Sequence, residues 1–222
     1  AIEQAQTSFF AETSRLLIRP IRLTDAACVQ RSASQREIAD TMISIPHPYP
    51  DGEAVRCSFQ STSDKCSKRE LIPLADLGRY VERARHLSET GQAFTFVLEL
   101  KDDQTGGNDL AQATSFVGVM AIRDMDLEHH VAELSFWVAK EGWGKGYVSE
   151  ALPAVIRFGF EQLDLNRLSA YHMVRNPASG RVLEKCGFVQ EGLLRQRVQK
   201  WGQFEDVVLR ALLKEDWKKT TD

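Results

Sequence analysis

The chain has 222 residues, of which 43% are hydrophobic and 27% charged, and its net charge is −3. These values are ordinary for a globular protein and suit one domain with a sizeable core. Basic residues are scattered rather than gathered in a stripe, which argues against a nucleic-acid partner. No apolar run approaches the ~20 residues of a membrane span, and no signal pattern opens the chain. We therefore expect a cytoplasmic protein without membrane contact.

The four cysteines show neither a C-x-x-C pair nor histidines at the spacing of a metal site. They are Cys28, Cys57, Cys66 and Cys186. We expect reduced thiols, with a Cys57–Cys66 bridge as the less favoured alternative. The pair His129-His130 is interpreted as part of a solvated turn between strands. The sequence therefore predicts no metal.

The first half of the chain predicts a lead-in over residues 1–13, followed by a single domain over residues 14–218. Thr24 and Asp25 supply an N-cap signal for a helix after the first strand. Gly91 ends the last helix of this half. A polar insertion occupies residues 51–72, with Ser58–Arg69 its most polar part. The predicted elements are the strand Leu16–Leu23, helices Gln35–Met42 and Leu74–Glu89, and a rigid loop at Pro46–Pro50.

The second half predicts strands separated by polar turns and two helices. A polar loop covers Lys101–Ala113, and the first helix starts after the glycine-rich segment Glu141–Tyr147. The strands are Phe94–Leu100, Ser115–Arg123, Val131–Val138, Arg167–Val174, Val189–Val198 and Glu205–Leu213, and the second helix is Ala178–Lys185. This order predicts a mixed α/β fold: a mostly antiparallel sheet with helices on both faces. Val131–Val138 and Arg167–Val174 form its parallel pair.

The glycine-rich segment Glu141–Tyr147 joins a strand to a helix, an arrangement that favours phosphate binding. Glycines let the backbone approach closely, and the first N–H groups of a helix have no partner inside it. Neither standard nucleotide pattern fits. The Walker motif needs Ser or Thr after Lys145, and the dinucleotide motif needs a glycine where Tyr147 or Ser149 stands. An ordinary strand–helix connection is the alternative.

A second motif follows about thirty residues later. It runs from Asn176 to Phe188 and reads N-P-A-S-G-R-V-L-E-K-C-G-F. Together with W-G-K-G-Y at Trp143–Tyr147, it resembles the GNAT superfamily of acetyl-CoA-dependent N-acetyltransferases. The likeness is strongest to the branch of ribosomal-protein N-terminal acetyltransferases, and it extends from Arg15 to Trp217.

Three positions depart from the expected pattern. Trp143 stands in the slot that usually holds Gln or Arg, which is common in this branch. Val148 is bulkier than the usual small residue and would crowd the pyrophosphate unless only its N–H is used. Pro153 lies inside the predicted helix, where we expect a kink rather than a break.

The resemblance implies that the parallel pair splays apart and that the pantetheine arm of acetyl-CoA lies in the gap. The backbone of Trp137, Val138 and Ala139 would then bond the pantetheine amides. The pyrophosphate would be held by Trp143, Gly144, Lys145, Gly146, Tyr147, Val148 and Ser149. Lys145 and Lys185 would add charge near the phosphates, or else be ordinary solvated lysines.

The implied reaction is direct attack of an amine on the thioester, with no metal and no acyl-enzyme. A backbone N–H near Val138 would stabilise the oxyanion, and Ser179 would approach the thioester sulfur, with a helix N-cap as the alternative. Glu133 is the candidate base, and a salt-bridged surface residue or a water relay is the alternative. Asn176 is expected to bond both backbone and coenzyme, and Cys186 to be packing.

The favoured acceptor is a protein or peptide α-amine. One rival is a small-molecule amine, such as a polyamine, an amino acid or an aminoglycoside. The other rival is a non-catalytic module that binds CoA or a partner. The sequence is compatible with a monomer or a homodimer.

Overall fold

The computed structural model describes residues 10–45, 47, 55–56, 71–72, 77–101 and 115–221. The strands in chain order are β1 (Ala11–Glu12), β2 (Leu16–Pro20), β3 (Val55–Arg56), β4 (Leu71–Ile72), β5 (Phe94–Leu100), β6 (Phe116–Asp126), β7 (Val131–Val138), β8 (Arg167–Met173), β9 (Val189–Lys200) and β10 (Gln203–Leu213). Eight of them form one sheet in the order β1-β2-β5-β6-β7-β8-β10-β9, and β3 pairs with β4 separately. Neighbours in the large sheet are antiparallel except β7 and β8. The predicted mixed sheet with one parallel pair is confirmed.

The helices flank this sheet on both faces. They are α1 (Ala26–Ala33), α2 (Arg36–Thr41), α3 (Leu77–Glu89), α4 (Tyr147–Arg157), α5 (Pro177–Lys185) and α6 (Lys214–Thr221). Short 3₁₀ turns at Leu23–Asp25 and Lys140–Gly142 precede α1 and α4. The last helix, α6, was not predicted; its Trp217 ring packs 5.4 Å from that of Phe160.

Two hydrophobic cores lie on opposite faces because side chains alternate along each strand. On the face that carries α4, Leu134 and Leu168 of the sheet pack with Leu152 and Ile156 of the helix. On the face that carries α1, Trp137 packs with residues of α1, α2 and α3. The odd-numbered residues of β7 therefore face α1, and the even-numbered ones face α4.

The start of α1 differs from the prediction. Strand β2 ends at Pro20 rather than Leu23, and Asp25 makes no side-chain cap on α1. Instead its buried carboxylate accepts from the Arg22 N–H at 2.7 Å and pairs with Arg19 at 2.8 Å. Arg19 is itself buried and also pairs with Glu99. A buried guanidinium needs such partners, so Asp25 serves the ion pair and not the cap.

The other boundaries agree closely or lie outside the described ranges. Strands β5 and β7 match their predicted bounds, and Gly91 follows α3 with φ +69°. Helix α4 continues through Pro153, and a π turn follows at Phe158–Gln162; the helix is unbroken as predicted, and the kink stays a prediction. The segment Ser58–Arg69, most of the Pro46–Pro50 loop and residues 102–114 are outside the described residues.

Candidate active site

The parallel strands β7 and β8 separate along their length. Their register contains three Cα pairs and ends at Glu133–Ser169, although β7 continues to Val138 and β8 to Met173. Beyond that last pair, each strand keeps its bonds to its outer neighbour, β6 or β10. A wedge-shaped gap therefore opens toward the C-terminal ends of the two strands.

The hydrogen bonds of β7 decide which of its backbone groups face this gap. The Ala139 N–H donates to Val117 O at 2.8 Å, and Val138 lies opposite Gly118 in the register. Hydrogen-bonded and non-hydrogen-bonded pairs alternate along an antiparallel ladder. The N–H groups of Phe136 and Val138 therefore point away from β6 and into the gap.

Of the three positions expected to bond pantetheine, only Val138 turns its N–H toward the gap. The Ala139 N–H donates to β6, and the Ala139 carbonyl accepts from the Gly142 N–H at 2.8 Å. Trp137 follows the same alternation and faces β6. Phe136, which the sequence reasoning did not include, has the orientation of Val138. Phe136 and Val138 therefore turn their N–H groups to the gap, whereas Trp137 and Ala139 turn theirs to β6; which of these residues bond pantetheine stays a prediction.

Trp143 braces the end of β7. Its indole N–H donates to Val138 O at 2.9 Å, and its backbone N–H donates to Lys140 O at 3.1 Å. Trp143 stands where the family pattern usually has Gln or Arg, and its side chain forms a hydrogen bond within the protein. The backbone groups left for a pyrophosphate run from Gly144 to Ser149.

The turn contains two glycines in the left-handed conformation. Gly144 has φ +72° and Gly146 has φ +78°. A Cβ on Gly144 would meet nothing within 4 Å, and one on Gly146 only Arg15 Nη2 at 3.8 Å, so conformation rather than crowding favours glycine at both. Gly142 differs, since a Cβ there would lie 2.6 Å from Val138 Cγ1.

Helix α4 begins directly after Gly146 and points its N-terminus at the turn. The Glu150 N–H donates to Gly146 O at 3.1 Å, so the N–H groups of Tyr147, Val148 and Ser149 have no partner within the helix. Val148 packs its side chain on the core, which accommodates its bulk away from the turn. Orphan N–H groups and the positive end of the helix dipole together favour an anion here.

The two lysines expected near the phosphates have exposed side chains. Lys145 lies in the turn itself and Lys185 is the last residue of α5. A direct phosphate contact by either one stays a prediction.

Asn176 caps α5. Its Oδ1 accepts from the Ser179 N–H at 3.3 Å, and its Nδ2 donates to Ser179 Oγ at 3.0 Å and to Thr41 O at 3.3 Å. The alternative that Ser179 is the N-cap is therefore wrong. Because the Ser179 oxygen accepts from Asn176, its own proton is directed at a different group. A contact between Ser179 and the thioester sulfur stays a prediction.

Glu133 lies where β7 and β8 part. It forms a cross-strand ion pair with Arg123, the arrangement that the sequence offered as the alternative to a catalytic role. Burial nevertheless raises the pKa of the Glu133 carboxyl, and the Arg123 charge only partly opposes this. A raised pKa makes a carboxylate a stronger base, so the ion pair is compatible with proton transfer.

Tyr171 is a further candidate residue of the active site, and the sequence reasoning did not include it. It stands two residues beyond Ser169 on β8, shares a face with Glu133, and is 37% exposed. Burial, followed by the charge of Glu133, raises the pKa of its phenol. The alternation that selected Glu133 on β7 would also have indicated Tyr171 on β8.

Helix α2 lies across the mouth of the gap and is bonded to both of its sides. After β7, Lys140 pairs with Glu37. After β8, Arg175 Nη1 pairs with Asp40 Oδ1 at 2.9 Å, and Asn176 bonds Thr41 O. The helix is therefore a wall of the gap on the face that carries α1.

Lys200 anchors the segment that follows α2. This buried residue of β9 donates through Nζ to Met42 O at 2.8 Å and also to Ile45 O. Burial, with help from the charge of Arg175, lowers the pKa of its ammonium group to about 8. The wall is thus tied to a third element of the sheet.

Other potentially reactive groups have structural surroundings. Within the described ranges, no cluster of three or more His, Cys, Asp or Glu side chains could hold a metal. His129 and His130 lie in an exposed turn, as predicted. Cys186 packs against the core, and burial raises the pKa of its thiol, which confirms packing. Cys57 and Cys66 are outside the described residues.

None of the helices in the described part of the chain is both long enough and apolar enough to cross a membrane.

Known proteins share both the sequence and the fold of this chain. Residues 15–189 match the model of the acetyltransferase (GNAT) domain. The Bacillus subtilis protein YdaF is 36% identical over 104 residues, which are 47% of this chain and 57% of YdaF. The [ribosomal protein uS5]-alanine N-acetyltransferase of Escherichia coli is 35% identical over 88 residues, which are 40% of this chain and 45% of that enzyme. The chain thus spans about half the length of these two relatives.

A solved structure extends the comparison over nearly the whole fold. The crystal structure of spermidine N-acetyltransferase from Vibrio cholerae in complex with CoA and spermine superposes with a TM-score of 0.68, covering 93% of this chain and 99% of that one. Its sequence identity is 20%, so this likeness establishes the fold alone. The predicted fold and family are confirmed: the chain belongs to the GNAT acetyltransferase family, whose co-substrate is acetyl-CoA.

Proposed function

We propose that the protein transfers the acetyl group of acetyl-CoA to the N-terminal α-amine of a protein or peptide. The observation that carries this proposal is that the pairing of β7 with β8 ends at Glu133–Ser169 and that β7 then leads into the glycine turn before α4. The N–H groups of Phe136 and Val138 face the gap, where an extended amide-bearing arm can bond as an added strand does. The start of α4 supplies the anion site for a pyrophosphate.

The chemistry is a direct transfer. The amine nitrogen attacks the thioester carbonyl, a C–N bond forms, and the C–S bond breaks with the electron pair leaving on sulfur. A gap-facing N–H of β7 stabilises the oxyanion, and the free proton of Ser179 is offered to the departing thiolate. A thiol with a pKa of ~8.5 leaves readily as thiolate, so this second contribution is modest.

Glu133 accepts the proton of the amine, either directly or through a water molecule. Its position at the vertex of the gap, in the last pair between β7 and β8, supports this role. Its raised pKa suits this task. The nearby Tyr171 contributes a phenol on the same face, where it can contact the acceptor.

The pKa values of the possible acceptor amines favour an α-amine over a lysine or polyamine nitrogen. An α-amino group has a pKa of ~7.7–8.0, against ~10.4 for a lysine side chain. The difference of about 2.5 units corresponds to ~3.4 kcal/mol of deprotonation that an α-amine does not require. The candidate base, Glu133, is a carboxylate in an ion pair with Arg123. Such a base suits an acceptor amine that loses its proton easily.

The charges around the gap also argue against a polycationic acceptor. Four acidic side chains on helix α2 and the strands beside the gap already have basic partners: Glu37 pairs with Lys140, Asp40 and Glu205 with Arg175, and Glu133 with Arg123. In the described part of the chain these carboxylates therefore offer no unpaired acidic strip to spermidine. The relatives' names include both acceptor classes, ribosomal-protein alanine and spermidine.

A competition experiment tests the acceptor. The purified protein is incubated with acetyl-CoA, a set of peptides that carry both a free N-terminus and an internal lysine, and spermidine. Mass spectrometry should find acetyl groups on the peptide N-termini, at a rate that rises with pH and reaches about half its maximum near pH ~8, where the α-amine is half deprotonated. Acetylation confined to lysine side chains or to spermidine would overturn the proposed acceptor. Tight acetyl-CoA binding without turnover of any amine would favour a non-catalytic module.

A further inference from the structure

The first turn of α4 carries a carboxylate beside the proposed anion site. Glu150 Oε1 accepts from Thr13 Oγ1 at 2.5 Å, from Ser14 Oγ at 3.0 Å and from the Arg15 N–H at 2.9 Å. Glu150 Oε2 accepts from Arg15 Nε at 2.7 Å. Burial acts to raise its pKa, but the hydrogen bonds from Thr13 and Arg15 prevail and hold the pKa at about 2. Glu150 is therefore ionised at neutral pH.

The Arg15 guanidinium connects this carboxylate to the turn. Its Nη2 lies 2.6 Å from Glu150 Oε2 and donates to Lys145 O at 3.0 Å. Its central carbon stands 4.8 Å from the centre of the Tyr147 ring. The same Nη2 would lie 3.8 Å from a Cβ on Gly146. One side chain thus contacts or borders three consecutive residues of the turn.

These contacts have an electrostatic consequence for the anion site. An unpaired carboxylate near the start of a helix would repel a diphosphate bound to the same helix end. Arg15 compensates that charge, and 48% of its side chain remains exposed beside the turn. Its bond to the Lys145 carbonyl also fixes the peptide unit that leads into Gly146 and hence the N–H groups that follow.

We propose that Arg15 is a positioning residue of the pyrophosphate site, acting through its joint contacts with Glu150, Lys145 and Tyr147. The proposal rests on the proposed acetyl-CoA site and adds to it a residue 130 positions away in sequence from the turn that it holds. Its role is in coenzyme affinity and not in the transfer step.

The test is the set Arg15→Ala, Arg15→Lys and the double variant Arg15→Ala/Glu150→Gln, with Lys101→Ala as the matched control. Lys101 pairs with Glu12 at 2.9 Å across the same edge of the sheet but does not touch the turn. We expect Arg15→Ala to raise the Kd of CoA and the KM of acetyl-CoA on the order of tenfold at unchanged saturating kcat. Arg15→Lys should be intermediate, because a lysine cannot bond the carboxylate and the Lys145 carbonyl together.

The double variant separates this role from plain stabilisation. The amide introduced by Glu150→Gln keeps an acceptor oxygen for Thr13 and Ser14 but removes the charge, so CoA affinity should return to within about threefold of wild type. A double variant that binds more weakly than Arg15→Ala, or an Arg15→Ala protein with a wild-type Kd, would overturn the proposal. Wild-type protein that itself fails to bind CoA would instead refute the coenzyme site.

Discussion

The substitution Gly146→Glu should weaken acetyl-CoA binding on the order of a hundredfold in a protein that still folds. Gly146 has φ +78°, and an L-residue in this conformation costs roughly 1–2 kcal/mol. No heavy atom lies closer than 3.8 Å to the added Cβ, so steric conflict adds little. A carboxylate about 6 Å from a phosphate charge, at an effective dielectric constant of about 20, costs about 3 kcal/mol. That energy corresponds to a loss of affinity on the order of a hundredfold.

Gly202 provides the matched control. It has φ +82° in the turn between β9 and β10, and a Cβ there would meet nothing within 4 Å. Gly202→Glu should therefore lose about the same stability as Gly146→Glu but keep its affinity for CoA, whereas Lys145→Ala should weaken binding only modestly. Denaturant unfolding and calorimetric titration with CoA measure the two quantities. Normal CoA binding by folded Gly146→Glu would refute the assignment of the turn.

Four further substitutions address the site and its support. Glu133→Gln should lower kcat and remove the limb that the Glu133 carboxyl adds on the acidic side of the rise due to the α-amine, and Arg123→Gln should move that limb to higher pH because burial then raises the Glu133 pKa unopposed; initial rates from acidic to neutral pH decide this, and unchanged profiles would make both residues structural. Ser179→Ala should lower kcat and leave the Kd of acetyl-CoA unchanged, since its backbone N–H still donates to the Asn176 cap; an equal loss in both would exclude the acid role. Gly180→Ala places a Cβ 2.8 Å from the His172 ring and should cost roughly 1–3 kcal/mol in denaturant unfolding; undiminished stability would show that the helix can move.

Central strands were predictable because their signal is local. Strands β5 and β7 are bounded by polar turns, and their apolar runs end where the structure ends them. The helix α6 is mostly polar and is held by Trp217 against Phe160, a contact between distant residues that no local pattern reveals. Asp25 was assigned to a cap because it precedes a helix, whereas the buried Arg19 decides its actual role.

For the candidate site, too, local signals could be read from the sequence and long-range contacts could not. The motifs predicted the glycine turn and the pair Asn176–Ser179 as site residues, and alternation selected Glu133 as the candidate base. The direction of each N–H in β7 depends on which neighbour Ala139 bonds, so Phe136 could be found only from the strand pairing. Arg15 meets the turn through a contact that spans 130 positions.

The central claim is that the gap between β7 and β8 receives the pantetheine arm. A crystal structure of the protein with CoA tests it most directly. We expect the N–H groups of Phe136 and Val138 within hydrogen-bond distance of pantetheine oxygens, and the pyrophosphate on the N–H groups that follow Gly144. CoA bound elsewhere, with the gap closed or filled by protein, would contradict the account.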